Sequence, residues 1–200
     1  MTQWKANQAS TNTAPTVPTG TKKPKKESLK RNASVGKSRL RSVRQPVFTK
    51  AVQIGIVVRD LDSTLRTYVD DYGIGPWEIH EFNPDSAKDL CEDGQPVERS
   101  WRLAVTMVGD VMWELIEPLD NKSVYARFLA EKGEGVHHIA VATPNFEDAV
   151  AAQAKRGRKL ALSGTFSGVK VAYLPTDRDL GVVLEIYSGM PRSRGAGSGH

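Results

Sequence analysis

The sequence predicts an α+β protein in which two tandem βαβββ modules form one mixed, curved sheet. Three observations carry that prediction. A basic, polar segment gives way at Val52 to VQIGIVV, a nearly continuous apolar, β-branched run. The order of elements that follows is repeated after a short helical linker. A polar residue near the start of each half is matched by a carboxylate in that half's last strand.

The run from Val52 suits a strand covered on both faces. Asp60 or Asp62 can cap the next helix, where Leu61, Leu65, Tyr68 and Val69 fall at helical spacing and Gly73 marks the stop. WEIHEF then reads as a second strand, residues 83–98 as a polar loop, and WRLAVTMVGDVMWELIEP as a hairpin turning at Gly109-Asp110. After a linker helix from Ser123 to Lys132 the order recurs. GVHHIAVAT is a strand and Phe146 to Arg156 a helix stopped by Gly157, followed by the strands KLALS, VKVAYLP and VVLEIYS. QIGIVVRDLDSTLRTY, from Gln53, aligns on HIAVATPNFEDAVAAQ, from His138, with strand on strand and helix on helix. Glu114 follows Gln53 by 61 residues and Glu185 follows His138 by 47, a difference close to the length of the loop at 83–98. Duplication of one module accounts for this.

The predicted organisation is a basic tail over 1–47, a first module over 48–121, a linker over 122–134, a second module over 135–188 and a tail over 189–200. The net charge of +5 hides two unlike parts. Residues 1–50 carry 12 Lys or Arg against the single acid Glu27, whereas residues 51–188 carry 14 basic and 22 acidic residues. The tail, rich in Ser, Thr, Pro and Lys, cannot bury enough apolar surface to offset its ordering entropy and is expected to be disordered. Its charge runs read as a solvated segment rather than a specific nucleic-acid site. The single cysteine, Cys91, forms no internal disulfide, no stretch reaches the roughly 18 apolar residues of a membrane span, and the N-terminus lacks a secretory h-region. A cytoplasmic location is expected, with the mitochondrial matrix as the alternative.

Gln53 and His138 open the two halves, and Glu114 and Glu185 lie within the apolar strands MWELIEP and VVLEIYS. Such groups need a partner, water or a metal when buried. If the modules pack about a pseudo-dyad, the four converge, and an amide oxygen, two carboxylates and an imidazole suit one divalent ion such as Co, Mn, Ni, Zn or Mg. The curved sheet would then surround a metal-binding cleft. His137 is expected to point to the opposite face of its strand.

VQIGIVVRDLDSTLRTY, MWELIEPLDNKSVYARFLAEKGEGVHHIAVAT and VVLEIYS resemble segments of the vicinal-oxygen-chelate superfamily, which groups glyoxalases, bleomycin-resistance proteins and extradiol dioxygenases. The linker with GEGVHHIA is similar to methylmalonyl-CoA epimerases. The resemblance covers residues 51–188 and implies metal ligands at Gln53, Glu114, His138 and Glu185. It also implies a catalytic glutamate at Glu98, to act with Glu185 as an acid/base pair. The first ligand departs from the epimerase pattern, usually His, and the second from the usual Gln; the set is closer to that of some glyoxalase I enzymes. The implied function is a metal-dependent epimerase that abstracts a proton next to a carbonyl, with lactoylglutathione lyase as the first alternative. A ring-cleavage dioxygenase, or a metal-free binding or resistance protein with a pocket lined by Trp77, Trp101 and Trp113, are the others. A small-molecule substrate, an acyl thioester in the epimerase case, and a homodimer are expected.

Overall fold

The apolar run of the first module forms β1 (Lys50–Val57), and Asp60 caps α1 (Leu61–Asp70) by accepting the Ser63 amide at 2.8 Å. This computed structural model describes residues 47–189, so the predicted tails lie outside the described residues but for their innermost positions. The chain returns as β2 (Glu78–Phe82). Residues 83–98, expected as a polar loop, instead contain β3 (Ala87–Glu92) and β4 (Gln95–Pro96), turning through Asp93 and Gly94 in left-handed conformations. The predicted hairpin is β5 (Trp101–Val108) and β6 (Val111–Pro118), closed at Gly109-Asp110 with Gly109 at φ 61°.

The linker helix α2 (Val124–Lys132) is capped by Ser123, whose side chain accepts from the Ala126 amide. The second module follows as β7 (Gly135–Ala142), α3 (Phe146–Lys155), β8 (Leu162–Phe166), β9 (Val169–Leu174), the short α4 (Asp177–Leu180) and β10 (Val183–Tyr187). β8 starts three residues later than KLALS suggested. Leu162 pairs with Tyr173 and Phe166 with Val169, and this cross-strand register sets the span.

Among the described residues ten strands form one sheet in the order β2-β5-β6-β1-β7-β10-β9-β8-β3-β4. β1 and β7 run antiparallel at its centre, and each is flanked by a parallel partner from its own module, β6 and β10. The arrangement is the pseudo-dyad that duplication predicts. The strands alternate between two faces. Leu115 and Ala104 on the convex side pack under α1, and Ala172, Leu174 and Ile186 pack under α3. The concave side holds Val57, Trp101, Leu103, Ile116, Leu162, Tyr173 and Val183. Phe82 on β2 stacks on Trp101 and meets Phe166 on β8 edge-on, so the two modules' edges close over the concave face.

The β3-β4 hairpin crosses from the first module to extend the second module's sheet through β8. Its buried Glu92 accepts from the Val124 amide at the start of α2, at 3.2 Å, and pairs with Arg127 at 2.9 Å and Arg99 at 3.4 Å. A carboxylate suits a helix N-terminus, and the two guanidinium groups compensate its burial. Among the described residues no helix is long and apolar enough to cross a membrane.

Candidate active site

Strand register brings the four matched residues onto the concave face. Gly55 of β1 stands opposite Glu114 of β6 on one side and His138 of β7 on the other. Ala140 stands opposite Gln53 on one side and Glu185 of β10 on the other. Residues two apart on a strand share a face, so Gln53, Glu114, His138 and Glu185 face one centre. The small residues between them leave the space: a Cβ at Gly55 would fall inside the His138 imidazole.

His138 is completely buried, and its Nε2 lies 3.3 Å from Glu114 Oε2 and 3.1 Å from Glu185 Oε2. Neither approach has hydrogen-bond geometry, and His138 Nε2 and Glu185 Oε2 are buried without a partner. Buried polar atoms normally find partners, and a basic nitrogen unpaired between two carboxylates is an arrangement that either a proton or a bound cation relieves. Among the described residues no three His, Cys, Asp or Glu side chains form a ready metal shell; here the imidazole itself occupies the space between the carboxylates. Gln53 Oε1 accepts from the Tyr187 hydroxyl, and Tyr187 lies two residues beyond Glu185 on the same face. The donor set, one amide oxygen, two carboxylates and one imidazole, fits a divalent ion chemically.

Burial disfavours the charged form of His138, but the Glu185 and Glu114 carboxylates outweigh it and hold the imidazolium up to about 9. Burial raises the Glu185 carboxyl above its ordinary range, with Glu114 adding to the shift and His138 opposing it. Burial first, and then these carboxylates, keep the Tyr125, Tyr173 and Tyr187 hydroxyls protonated. A consequence follows for the metal-free protein. The folded pKa of His138 lies above the unfolded value of about 6.5, so its stabilisation is complete below that value and is lost as pH rises through 9. Unfolding free energy measured in chelator should therefore fall between pH 6.5 and 9, by at most about 1.4 kcal/mol per pH unit. The same slope in His138→Gln would show that another group is responsible.

Glu114, Glu185 and Tyr187 reach the wall of a cavity of about 140 Å³. Its other walls include Phe82, Trp101, Phe166, Tyr125 and Tyr173, and the last two share a hydroxyl–hydroxyl hydrogen bond of 2.8 Å. Pockets for drug-sized ligands measure roughly 300–1,000 Å³, so this cavity admits the reactive end of a substrate rather than a whole large one. Trp101 is the single predicted tryptophan at the cavity. Trp113 precedes Glu114 and so turns to the convex face, where it and Trp77 pack on Tyr68. Glu98 is exposed and lines a separate depression with Pro84, Asp89 and Pro96 on the inserted hairpin.

Sequence reasoning missed the three tyrosines. Tyr187 was within reach of the alternation that selects Glu185, whereas Tyr125 comes from the linker helix and carries no strand signal. It also misplaced His137. A register shift sets Gly55 opposite His138 and Ile56 opposite Val136, so His137 is the extra residue of a β-bulge. Both imidazoles therefore turn the same way, with ring centroids 5.4 Å apart and Nδ1 atoms 3.1 Å apart. Burial, with the His138 charge adding, pushes His137 down to about 3.

Comparison with known proteins agrees with this architecture. A methylmalonyl-CoA epimerase from Mycobacterium tuberculosis superposes with a TM-score of 0.54 at 22% identity, covering 76% of this chain and 95% of that one. A variant of the Streptomyces coelicolor methylmalonyl-CoA epimerase in complex with 2-nitronate-propionyl-CoA gives a TM-score of 0.50 at 26% identity, covering 70% and 96%. An uncharacterised Bacillus subtilis (strain 168) protein, YqjC, is 32% identical over 94 residues, which are 44% of this chain and 66% of that relative. The sequence profile of the glyoxalase/bleomycin resistance protein/dioxygenase superfamily matches residues 52–173, more than half of the chain, and the protein belongs to that superfamily.

Proposed function

We propose that the protein is a metal-dependent isomerase of the epimerase kind, which moves a proton at a carbon next to the carbonyl of a small acyl substrate. The observation that carries this reading is the convergence of Glu114 and Glu185 on His138 Nε2, at 3.3 and 3.1 Å, beside a cavity walled by aromatic rings. An acyl thioester is the substrate class suggested by similar structures, which hold 2-nitronate-propionyl-CoA or methylmalonyl-CoA.

In this reading Gln53, Glu114, His138 and Glu185 would hold one divalent ion, which when bound would polarise the substrate carbonyl and stabilise the negative charge that develops on its oxygen. Glu185 serves as the base. Burial raises its proton affinity above that of an ordinary carboxylate, which makes it a stronger base for proton abstraction next to a carbonyl. Tyr125 and Tyr173 share one hydrogen bond and so keep one hydroxyl proton at the cavity wall fit to donate to a substrate oxygen or to return a proton, whereas the Tyr187 proton is held by Gln53 Oε1 until substrate or metal displaces it. Phe82, Trp101 and Phe166 exclude water from the reacting carbon.

A second reading, lactoylglutathione lyase, is favoured by one observation: Glu98, the expected second acid/base group, is absent from the cavity lining. The test is to load the protein with Co²⁺, Mn²⁺, Ni²⁺, Zn²⁺ or Mg²⁺ and follow deuterium uptake from heavy water into methylmalonyl-CoA. In parallel, the hemithioacetal of methylglyoxal and glutathione is assayed. Uptake with inversion of methylmalonyl-CoA is expected. Turnover of the hemithioacetal alone would replace the epimerase reading with the lyase, and a protein that binds no metal and exchanges no proton would overturn both.

A further inference from the structure

We propose that His137 is a positioning residue for His138: its Nδ1 accepts the Nδ1–H of His138, leaving Nε2 of His138 directed between Glu114 and Glu185. The proposal rests on the metal-binding reading above and assigns a role to a buried imidazole that the proposed chemistry does not use.

The bulge creates the contact. In a regular strand His137 would face α1 and α3 across the convex side, but here it has no cross-strand partner and turns towards its neighbour. Its ring is held edge-on by Tyr125 at 5.3 Å and Phe128 at 5.1 Å, both from α2, and lies tilted against Tyr173 at 5.8 Å. The 3.1 Å separation of the two Nδ1 atoms brings two ring nitrogens within hydrogen-bond reach, so one must donate and the other accept.

Two assignments exist. If His137 donated, a neutral His138 would carry its proton on Nε2, which faces both carboxylates without hydrogen-bond geometry to either. If His138 donates, its Nε2 keeps a lone pair aimed at the centre of the site, as a metal ligand requires. His137 also borders a second pocket, of about 170 Å³, with Arg127, Glu131 and Lys132.

Two substitutions separate this role from packing. His137→Phe fills the space between Tyr125, Phe128 and Tyr173 but offers no acceptor, whereas His137→Asn keeps an acceptor near the position of Nδ1. Titration calorimetry with Co²⁺ should show His137→Phe binding roughly 10- to 100-fold more weakly than the wild type, the usual cost of losing a group that orients a ligand. His137→Asn should remain near the wild-type affinity. Long-range proton–nitrogen NMR correlations on the Zn²⁺-loaded wild type should place the remaining His138 proton on Nδ1.

Equal Co²⁺ affinity in the wild type and His137→Phe would overturn the positioning role while leaving the metal reading intact, as would a His138 proton found on Nε2. If His137→Phe does not fold, a tenfold loss in His137→Asn would overturn it equally. A wild type that binds no Co²⁺ would remove the metal reading, and this inference with it.

Discussion

Gly55→Ala is expected to abolish metal binding and activity together, although glycine carries no functional group and alanine fits a strand better. In a strand interior the exchange ordinarily favours folding by roughly 0.5–1 kcal/mol, because glycine loses more backbone freedom. Gly55 is different because the His138 imidazole lies directly over it, between the cross-strand partners Glu114 and His138. A methyl group there coincides with ring atoms, so His138 must rotate away from both carboxylates. Overpacking of this kind costs about 1–3 kcal/mol, which outweighs the backbone gain. The loss of Co²⁺ affinity should exceed the roughly 10- to 100-fold expected for losing an orienting partner, since a ligand itself is displaced. Calorimetric titration and deuterium exchange read both effects. A Gly55→Ala protein with wild-type affinity and exchange would show that His138 does not act from this position.

That prediction could not come from the sequence, and the reason is instructive. Gln53, Glu114, His138 and Glu185 were legible because each interrupts an apolar strand and because two repeats place them alike. Duplication converts two weak signals into one constraint on space. Gly55 became important only through register, which pairs strands 59 residues apart and is decided by packing across the whole sheet. The face assigned to His137 failed for a related reason. Alternation holds while pairing is regular, and nothing in GVHHIAVAT announces the bulge between His138 and Val136. The loop at 83–98 was read from its polarity, yet AKDLCE becomes a strand because the edge of β8 offers unpaired backbone groups to it. Alternation itself corrects the expectation that Trp113 lines the pocket: its neighbour Glu114 reaches the cavity, so the tryptophan turns to the convex side. Caps and stops are the most local features: Asp60, one of the two cap candidates the spacing offered, accepts the Ser63 amide, while the caps Ser123 and Asn145 emerge from the structure.

The placement of the two candidate acid/base groups leads to opposite expectations for them. Glu185→Gln keeps the side chain's volume and one oxygen but removes its basicity from a position 3.1 Å from His138 Nε2. Deuterium exchange should fall by about 10²- to 10⁴-fold, the usual contribution of a positioned general base. Bound metal should fall less, because three other donors remain. Glu98→Gln removes a carboxylate that is exposed and outside the cavity, on a segment whose neighbour Glu92 is tied to Arg99, Arg127 and the start of α2. That anchoring holds the inserted hairpin against the second module, so exchange and inversion should both persist in Glu98→Gln. The proton on the second face would then pass through one of the cavity tyrosines, and Tyr125→Phe, Tyr173→Phe and Tyr187→Phe identify which. Loss of inversion with retained exchange in Glu98→Gln would show the reverse. The hairpin would then have to bring Glu98 to the substrate during turnover, and the pair Glu98 and Glu185 suggested by the resemblance would carry the two faces of the reaction.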